Sequence, residues 1–325
     1  MTVTGKLNKV NSIVIPVLII FFLGAMAYFV GFLSFLEVDN GKVDSIYKTP
    51  IYGSLILIVA IIPTAIYYMK MFKTIHIDSK GIKLSNIFKT EFIKWSEIQR
   101  IELIGKSQGT ASPSDSANLI LHSGRHIDLI ASYYENMPTI RKSLEQIIEC
   151  VHSGKPIELN PEIEMPKVDP TGFVNLSGMT KYSGNHFLSL NGLMIYLWTA
   201  FSIYLLMTIH VSSFNSLLGM ILVLIGMFGI FYGFLGFQLH YFYADSKYLV
   251  IKNHVWPWKK HVYRIENIKQ VVIETPYKRS TSLRVITKDY HSRLYPSGSL
   301  RGGTWKDLVQ GLENLKVSIR TETAF

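Results

Sequence analysis

Cysteine is almost missing: Cys150 stands alone among 325 residues, which excludes an internal disulfide. It lies at the flank of an amphipathic pattern, where a structural or incidental thiol is expected rather than a nucleophile. The short motifs that carry chemistry are missing too. No Gly-x-Ser-x-Gly elbow, phosphate loop or dinucleotide fingerprint occurs. The ten histidines show no ligand spacing. His122 and His126 bracket a Ser-Gly-Arg turn, and His254 and His261, around a tryptophan turn, read as solvated strand ends. No metal, cofactor or catalytic group is therefore expected. The largest gap is in charge. Four apolar runs, Ser12–Phe35, Ile51–Phe72, Leu188–Val211 and Leu217–Leu239, hold no Asp, Glu, Lys or Arg except Lys70 at the edge of the second. Ion-coupled transport needs an ionisable group at mid-membrane, and only His210, near the outer end of its run, offers one. Transport is not expected.

What is present is apolar: 48% of residues are hydrophobic and the mean hydropathy is +0.23, high for a soluble domain. Each of the four runs has the roughly 20 residues needed to cross a bilayer core. The first is too long for a cleavable signal peptide and carries Ala25-Met26-Ala27 in its middle, so it is expected to stay as an anchor. Lys6 and Lys9 precede it, and Lys70, Lys73, Lys80 and Lys83 follow the second run. The intervening loop from Glu37 to Asp44 is mostly acidic. By the positive-inside bias both termini face the cytoplasm, which predicts a multi-pass protein of the inner (cytoplasmic) membrane.

Between the runs the period changes to two. Ile75 and Ile77, Ile82 and Leu84, and Phe88, Thr90 and Phe92 alternate, and Ile98 to Leu103, Leu119–Leu121 and Ile127–Ile130 follow. Met137–His152 turns helical, with Ile140, Leu144, Ile147, Ile148 and Val151 on one stripe and Pro138 in its first turn. A Pro-rich stretch, 153–187, reads as linker. The pattern then recurs: strands at 241–244, 248–252, 261–265, 268–274, 282–287 and 290–295, and a helix at Thr304–Val317 capped by Thr304. Gly302-Gly303 reads as the loop feeding it. Asp78-Ser-Lys80 matches Asp245-Ser-Lys247 at an offset of 167, and Ile98 matches Ile268 at 170, so three residues are added between them. The expected organisation is an apolar hairpin (1–72), a β-rich unit (73–152), the linker, a second hairpin (188–240) and a second unit (241–325). It is an internal repeat.

Strands in hairpin order closed by one amphipathic helix suggest a small β-sandwich or open barrel. At Ile77-Asp-Ser-Lys-Gly-Ile82 with Phe92-Ile-Lys-Trp95-Ser-Glu-Ile98, and at Ala244-Asp-Ser-Lys-Tyr-Leu249 with Tyr263-Arg-Ile-Glu-Asn-Ile268, the chain resembles bacterial pleckstrin-homology-like (PH-like) membrane proteins. That resemblance implies membrane α-helical hairpins, four transmembrane helices in all, carrying two cytoplasmic α+β PH-like units. It implies fold and location more than mechanism.

Two features point to partners. Residues 73–168 carry twelve basic and twelve acidic side chains, whereas 241–325 carry fifteen against seven, so nearly all of the +10 charge sits in the second unit. There Val255-Trp-Pro-Trp-Lys-Lys260 forms a turn that the second strand returns toward the lipid surface. Trp256 and Trp258 are expected at headgroup depth, with Lys252, Lys259, Lys260 and Arg264 facing anionic phosphates. A unit tethered at a bilayer explains this charge without nucleic acid. In the fourth run Gly219, Gly226 and Gly233 recur every seven, with Gly229 and Gly236 beside them, and the first run has Gly24, Ala27 and Gly31. Small residues let helices approach closely, between spans or in a homodimer through the fourth. The expected function is a non-enzymatic module that reads the anionic leaflet or holds a protein partner at the cytoplasmic face. The competing class is a lipid-handling protein or enzyme with its site between hairpins and sheet.

Overall fold

The computed structural model describes residues 2–108, 113–159, 174–208, 229, 231–277 and 279–323. The chain divides into two units, Met1–Ile163 and Glu164–Phe325.

Unit 1 begins with a two-residue strand, β1 (Val3–Thr4), before its helices α1 (Ile15–Asp39) and α2 (Ile51–Met71). Six strands follow: β2 (Thr74–Ile77), β3 (Gly81–Ser85), β4 (Thr90–Lys94), β5 (Ile98–Lys106), β6 (Asp115–Leu121) and β7 (His126–Ile130), closed by α3 (Met137–Ser153). They make two antiparallel sheets, β1-β2-β3-β4 and β5-β6-β7. Both sheets and α3 share one core, in which Ile75, Ile82, Ile93, Leu119, Ile140 and Leu144 are fully buried.

The N-terminal residues, which carry no visible period, thus enter the first sheet, Val3 facing Ile77 and Thr4 facing His76. Asn136 holds them there: its Oδ1 accepts from the Lys6 amide at 2.7 Å and its Nδ2 donates to Thr4 O at 2.9 Å. Because β1 precedes α1 and its partner β2 follows α2, the two helices leave from and return to one sheet. Buried in the same unit, the Arg141 guanidinium on α3 donates to Asp115 on β6 at 2.7 Å.

The helical residues Val10–Asp39 and Ile51–Met71 are long and apolar enough to cross a membrane. Their apolar side chains face outward, Phe21 at 71% exposure and Ile56 at 68%. The pair meets at small residues. Ser54 Oγ donates to Ala27 O at 2.7 Å, and a Cβ on Gly31 would lie 3.3 Å from Ser54 Oγ, whereas one on Gly24 would meet nothing among the described residues.

Unit 2 has the same order. β8 (Thr180–Tyr182) precedes the apolar helix α4 (Leu190–Thr208). The helical residues 231–236 then lead to β9 (His240–Ala244), β10 (Tyr248–Asn253) and β11 (Lys260–Arg264), followed by β12 (Ile268–Glu274), β13 (Ser282–Thr287), β14 (Ser292–Pro296), α5 (Gly302–Asn314) and β15 (Ile319–Thr321). The sheets run β11-β10-β9-β8 and β14-β13-β12-β15, the last pair parallel. Residues 217–228 of the fourth apolar run, with Gly219 and Gly226, lie outside the described residues, as do His210 and the 160–173 part of the linker.

Three sequence expectations change. The end of the 153–187 stretch is a strand, β8, paired with β9 just as β1 pairs with β2. The last helix starts at Gly302 with Arg301 as its cap residue, not at Thr304, so the two glycines form the first turn. Residues after it turn back through Lys316 at φ +59° and add β15.

Candidate membrane-surface site

Each β unit is tied to its apolar helix through one asparagine. The last carbonyls of a helix have no partner within it and must find donors elsewhere. In unit 1 the donor is Asn86, at the end of β3, whose Nδ2 reaches Lys70 O in the last turn of α2 at 3.0 Å. Its Oδ1 accepts from the Phe88 and Lys89 amides at 3.0 and 2.7 Å, which folds the β3–β4 turn around it. In unit 2 Asn253 repeats this. Its Nδ2 donates to Gly236 O at 2.9 Å, and its Oδ1 accepts from Val255 N and Trp256 N at 2.8 and 3.1 Å. Gly236 admits the turn because a Cβ there would crowd Val255 at 3.1 Å. Gly236 therefore packs on the hairpin, while a Cβ on Gly229 or Gly233 would meet nothing among the described residues.

The matching runs deeper. Asp78 Oδ1 accepts from Lys80 N and Gly81 N, and Asp245 Oδ1 accepts from Lys247 N and Tyr248 N. A helical turn precedes β5 at Trp95–Glu97 and β12 at Ile265–Asn267, and each strand carries an irregularity right after its first residue. Asn86 and Asn253 stand 167 apart, but Thr90 and Lys260, which open the returning strands, stand 170 apart. The three extra residues thus fall in the hairpin tip and bring in the Trp-Pro-Trp segment.

The basic and aromatic residues of the second tip do not all gather. Trp258 is 74% exposed. The Lys259 ammonium sits 4.4 Å from the Trp256 ring centroid, a cation–π contact that keeps both at the tip. Lys252 and Lys260 face each other across β10 and β11, and Lys260 Nζ also donates to Val174 O at 2.9 Å. Arg264 is elsewhere. Register pairs it with Tyr248 at the Asp245 turn, four residues and about 13 Å from Lys260, where it meets Glu266 at 3.3 Å. The structure does not bring Arg264 to the tryptophans.

The histidines beside the tip are packed rather than solvated. The His254 ring stacks on His186 at 4.4 Å and on Tyr241 at 4.3 Å, and burial pulls its pKa down to about 4. His240, on β9, is buried and donates from Nδ1 to Pro296 O at 2.9 Å; burial lowers it to about 4 as well. His261 is lowered by burial and lies beside Arg293. Among the described residues no group of three His, Cys, Asp or Glu could hold a metal.

The first tip escaped the sequence reading. Phe88, counted there as a strand residue, belongs to the turn, and β4 starts at Thr90. Ile87 is 77% exposed and Phe88 55%, with the Lys70 ammonium 5.9 Å from the Phe88 ring. Glu91, next to this tip on β4, is bound by both terminal guanidinium nitrogens of Arg125 and lies 3.5 Å from Lys89. The Arg125 hydrogen bonds hold its carboxyl down at about 2, so it stays ionised, and its charge is balanced by Arg125 and Lys89. The only hint in sequence was the spacing of Asn86 and Asn253 from the Asp turns.

Compared with known families and with curated proteins, the chain matches no family model and no curated protein.

Proposed function

We propose that the chain is a duplicated, four-span protein of the inner membrane whose two PH-like units stand on the cytoplasmic leaflet, the second binding its anionic surface. Two sheets closed by a helix in both units, with an apolar helical pair between the first and second strands of unit 1 and the apolar α4 between those of unit 2, support the PH-like reading. Sheet pairing before α1 and after α2 means that, if this pair crosses a bilayer, it starts and ends on one side. Lys70, Lys73, Lys80 and Lys83 beyond α2 favour the cytoplasm for that side. α4 and residues 217–239 would supply the third and fourth spans.

The observation that carries the binding reading is the Asn253 bond to Gly236 O. It fastens the Trp256–Trp258 tip to the helix end, where an indole ring finds the interface it prefers. Lys252, Lys259 and Lys260 share that end of the hairpin, and each cation near an anionic leaflet contributes about 1 kcal/mol. A module of this kind needs no catalytic residue.

The test uses the full chain in phosphatidylcholine vesicles, with or without phosphatidylglycerol, and lipids brominated near the headgroup. Tryptophan emission should be quenched, more so with phosphatidylglycerol, and the added part should vanish at high salt. Trp256→Phe with Trp258→Phe should remove that part. Quenching indifferent to anionic lipid and to the double substitution would overturn the reading.

A further inference from the structure

We infer that Ile87 and Phe88, at the β3–β4 tip, dip into the headgroup layer of the bilayer that α2 enters and hold the first sheet against it. The inference rests on the membrane reading of α1 and α2, and adds a lipid-contact site in the unit whose net charge is balanced.

Depth comes first. Asn86 joins the tip to Lys70 O, in the last turn of a helix long and apolar enough to span, so the tip lies within about one 5.4 Å turn of the helix end. Turn positions ordinarily take Gly, Asn, Asp, Ser or Pro, for conformational and hydrogen-bonding reasons. Here Asn86 meets the backbone's needs, and the two positions it frees are isoleucine and phenylalanine, both exposed. Two adjacent apolar side chains are far too small a patch for a stable protein interface, which buries on the order of 800 Å² per partner. A bilayer needs no such area, because the helices already fix the sheet at its surface.

Charge agrees with this. Lys70 lies over the Phe88 ring and Lys89 is 68% exposed beside it. The nearby acid, Glu91, is occupied by Arg125 and Lys89, so the tip presents an apolar point ringed by cations. The second tip has the same three parts in different residues: the asparagine tie, an exposed apolar side chain in Trp258 and a flanking lysine in Lys259. Three inserted residues and a change of the apolar side chains have kept that arrangement.

The experiment places an environment-sensitive nitrobenzoxadiazole label on single cysteines in full-length protein carrying Cys150→Ser. The sites are Ile87→Cys, Phe22→Cys on the exposed face of α1, and Ser79→Cys in the exposed β2–β3 turn at the far end of β3. The protein is reconstituted in phosphatidylcholine–phosphatidylglycerol vesicles with a spin-labelled lipid whose nitroxide lies just below the headgroups. At position 87 a blue-shifted emission and a loss several times that at position 79 are expected. If 22 is quenched and 87 behaves like 79, the inference is overturned while the spanning reading stands. If neither 22 nor 87 is quenched, the spanning reading falls, and the inference with it.

Discussion

Replacing Asn253 by alanine strikes the joint between sheet and helix in unit 2. The side chain is 1% exposed and makes three hydrogen bonds, two accepted from Val255 N and Trp256 N and one donated to Gly236 O. The carbonyl keeps a second donor in the Leu239 amide, so its loss is the smallest of the three. The two amides lose the partner that folds the turn. An unsatisfied buried donor costs about 1–3 kcal/mol, and these are half-buried, so the lower end applies to each. The whole substitution should cost about 2–3 kcal/mol, and a unit near 150 residues should lose roughly 4–12 °C in Tm. The assay is chemical unfolding of the full chain in detergent, followed by tryptophan emission, with limited trypsin cleavage after Lys259 and Lys260 as a local readout. Asn253→Asp keeps the acceptor for both amides and should retain much of the protection from trypsin. A cost below about 0.5 kcal/mol with cleavage unchanged would refute the idea that this asparagine fixes the tip.

Two further outcomes follow from buried charge. Asp115→Asn should destabilise unit 1 by about 3–5 kcal/mol in urea unfolding, because the fully buried Arg141 guanidinium loses its ionised partner, and adding Arg141→Met should recover part of the loss. In unit 2, His240 titrates near 4 when folded against 6.5 for an ordinary histidine, so the unfolded chain binds the extra proton between these values. Stability is therefore complete above about pH 6.5 and falls as the pH drops toward 4, by up to about 3 kcal/mol from this residue. Arg293, His261 and Lys259 nearby oppose its protonation, the Pro296 carbonyl favours it, and His254 titrates in the same window. His240→Gln should flatten the dependence of the urea midpoint between about pH 7 and pH 5, and an unchanged slope would remove His240 as its source.

The strands after each apolar run and the stripe of α3 were legible because alternation and the 3.6-residue period survive wherever one face is buried. Ile75 and Ile77, or Ile140 and Leu144, could hardly be placed otherwise. Val3–Thr4 and Thr180–Tyr182 were not legible, since two or three residues carry no period and their partners lie beyond two long apolar runs. Phe88 misled because it alternates with Thr90 and Phe92, yet the Asn86 side chain ends the ladder before it. The tryptophan turn announced itself by composition; its plainer counterpart needed Asn86 seen in place. Arg264 was grouped with the tip by proximity along the chain, whereas strand register sends it to the other end.

The strand that opens each unit has a bearing on assembly. Val3 can meet Ile77, and Thr180 can meet Ala244, only after all the apolar residues between them have been made and stowed. A nascent chain must therefore hold a short, unpaired strand in reserve until everything between it and its partner has been built. In unit 1, completion of the sheet then closes over α1 and α2 from outside, like a clasp fastened after the garment is on.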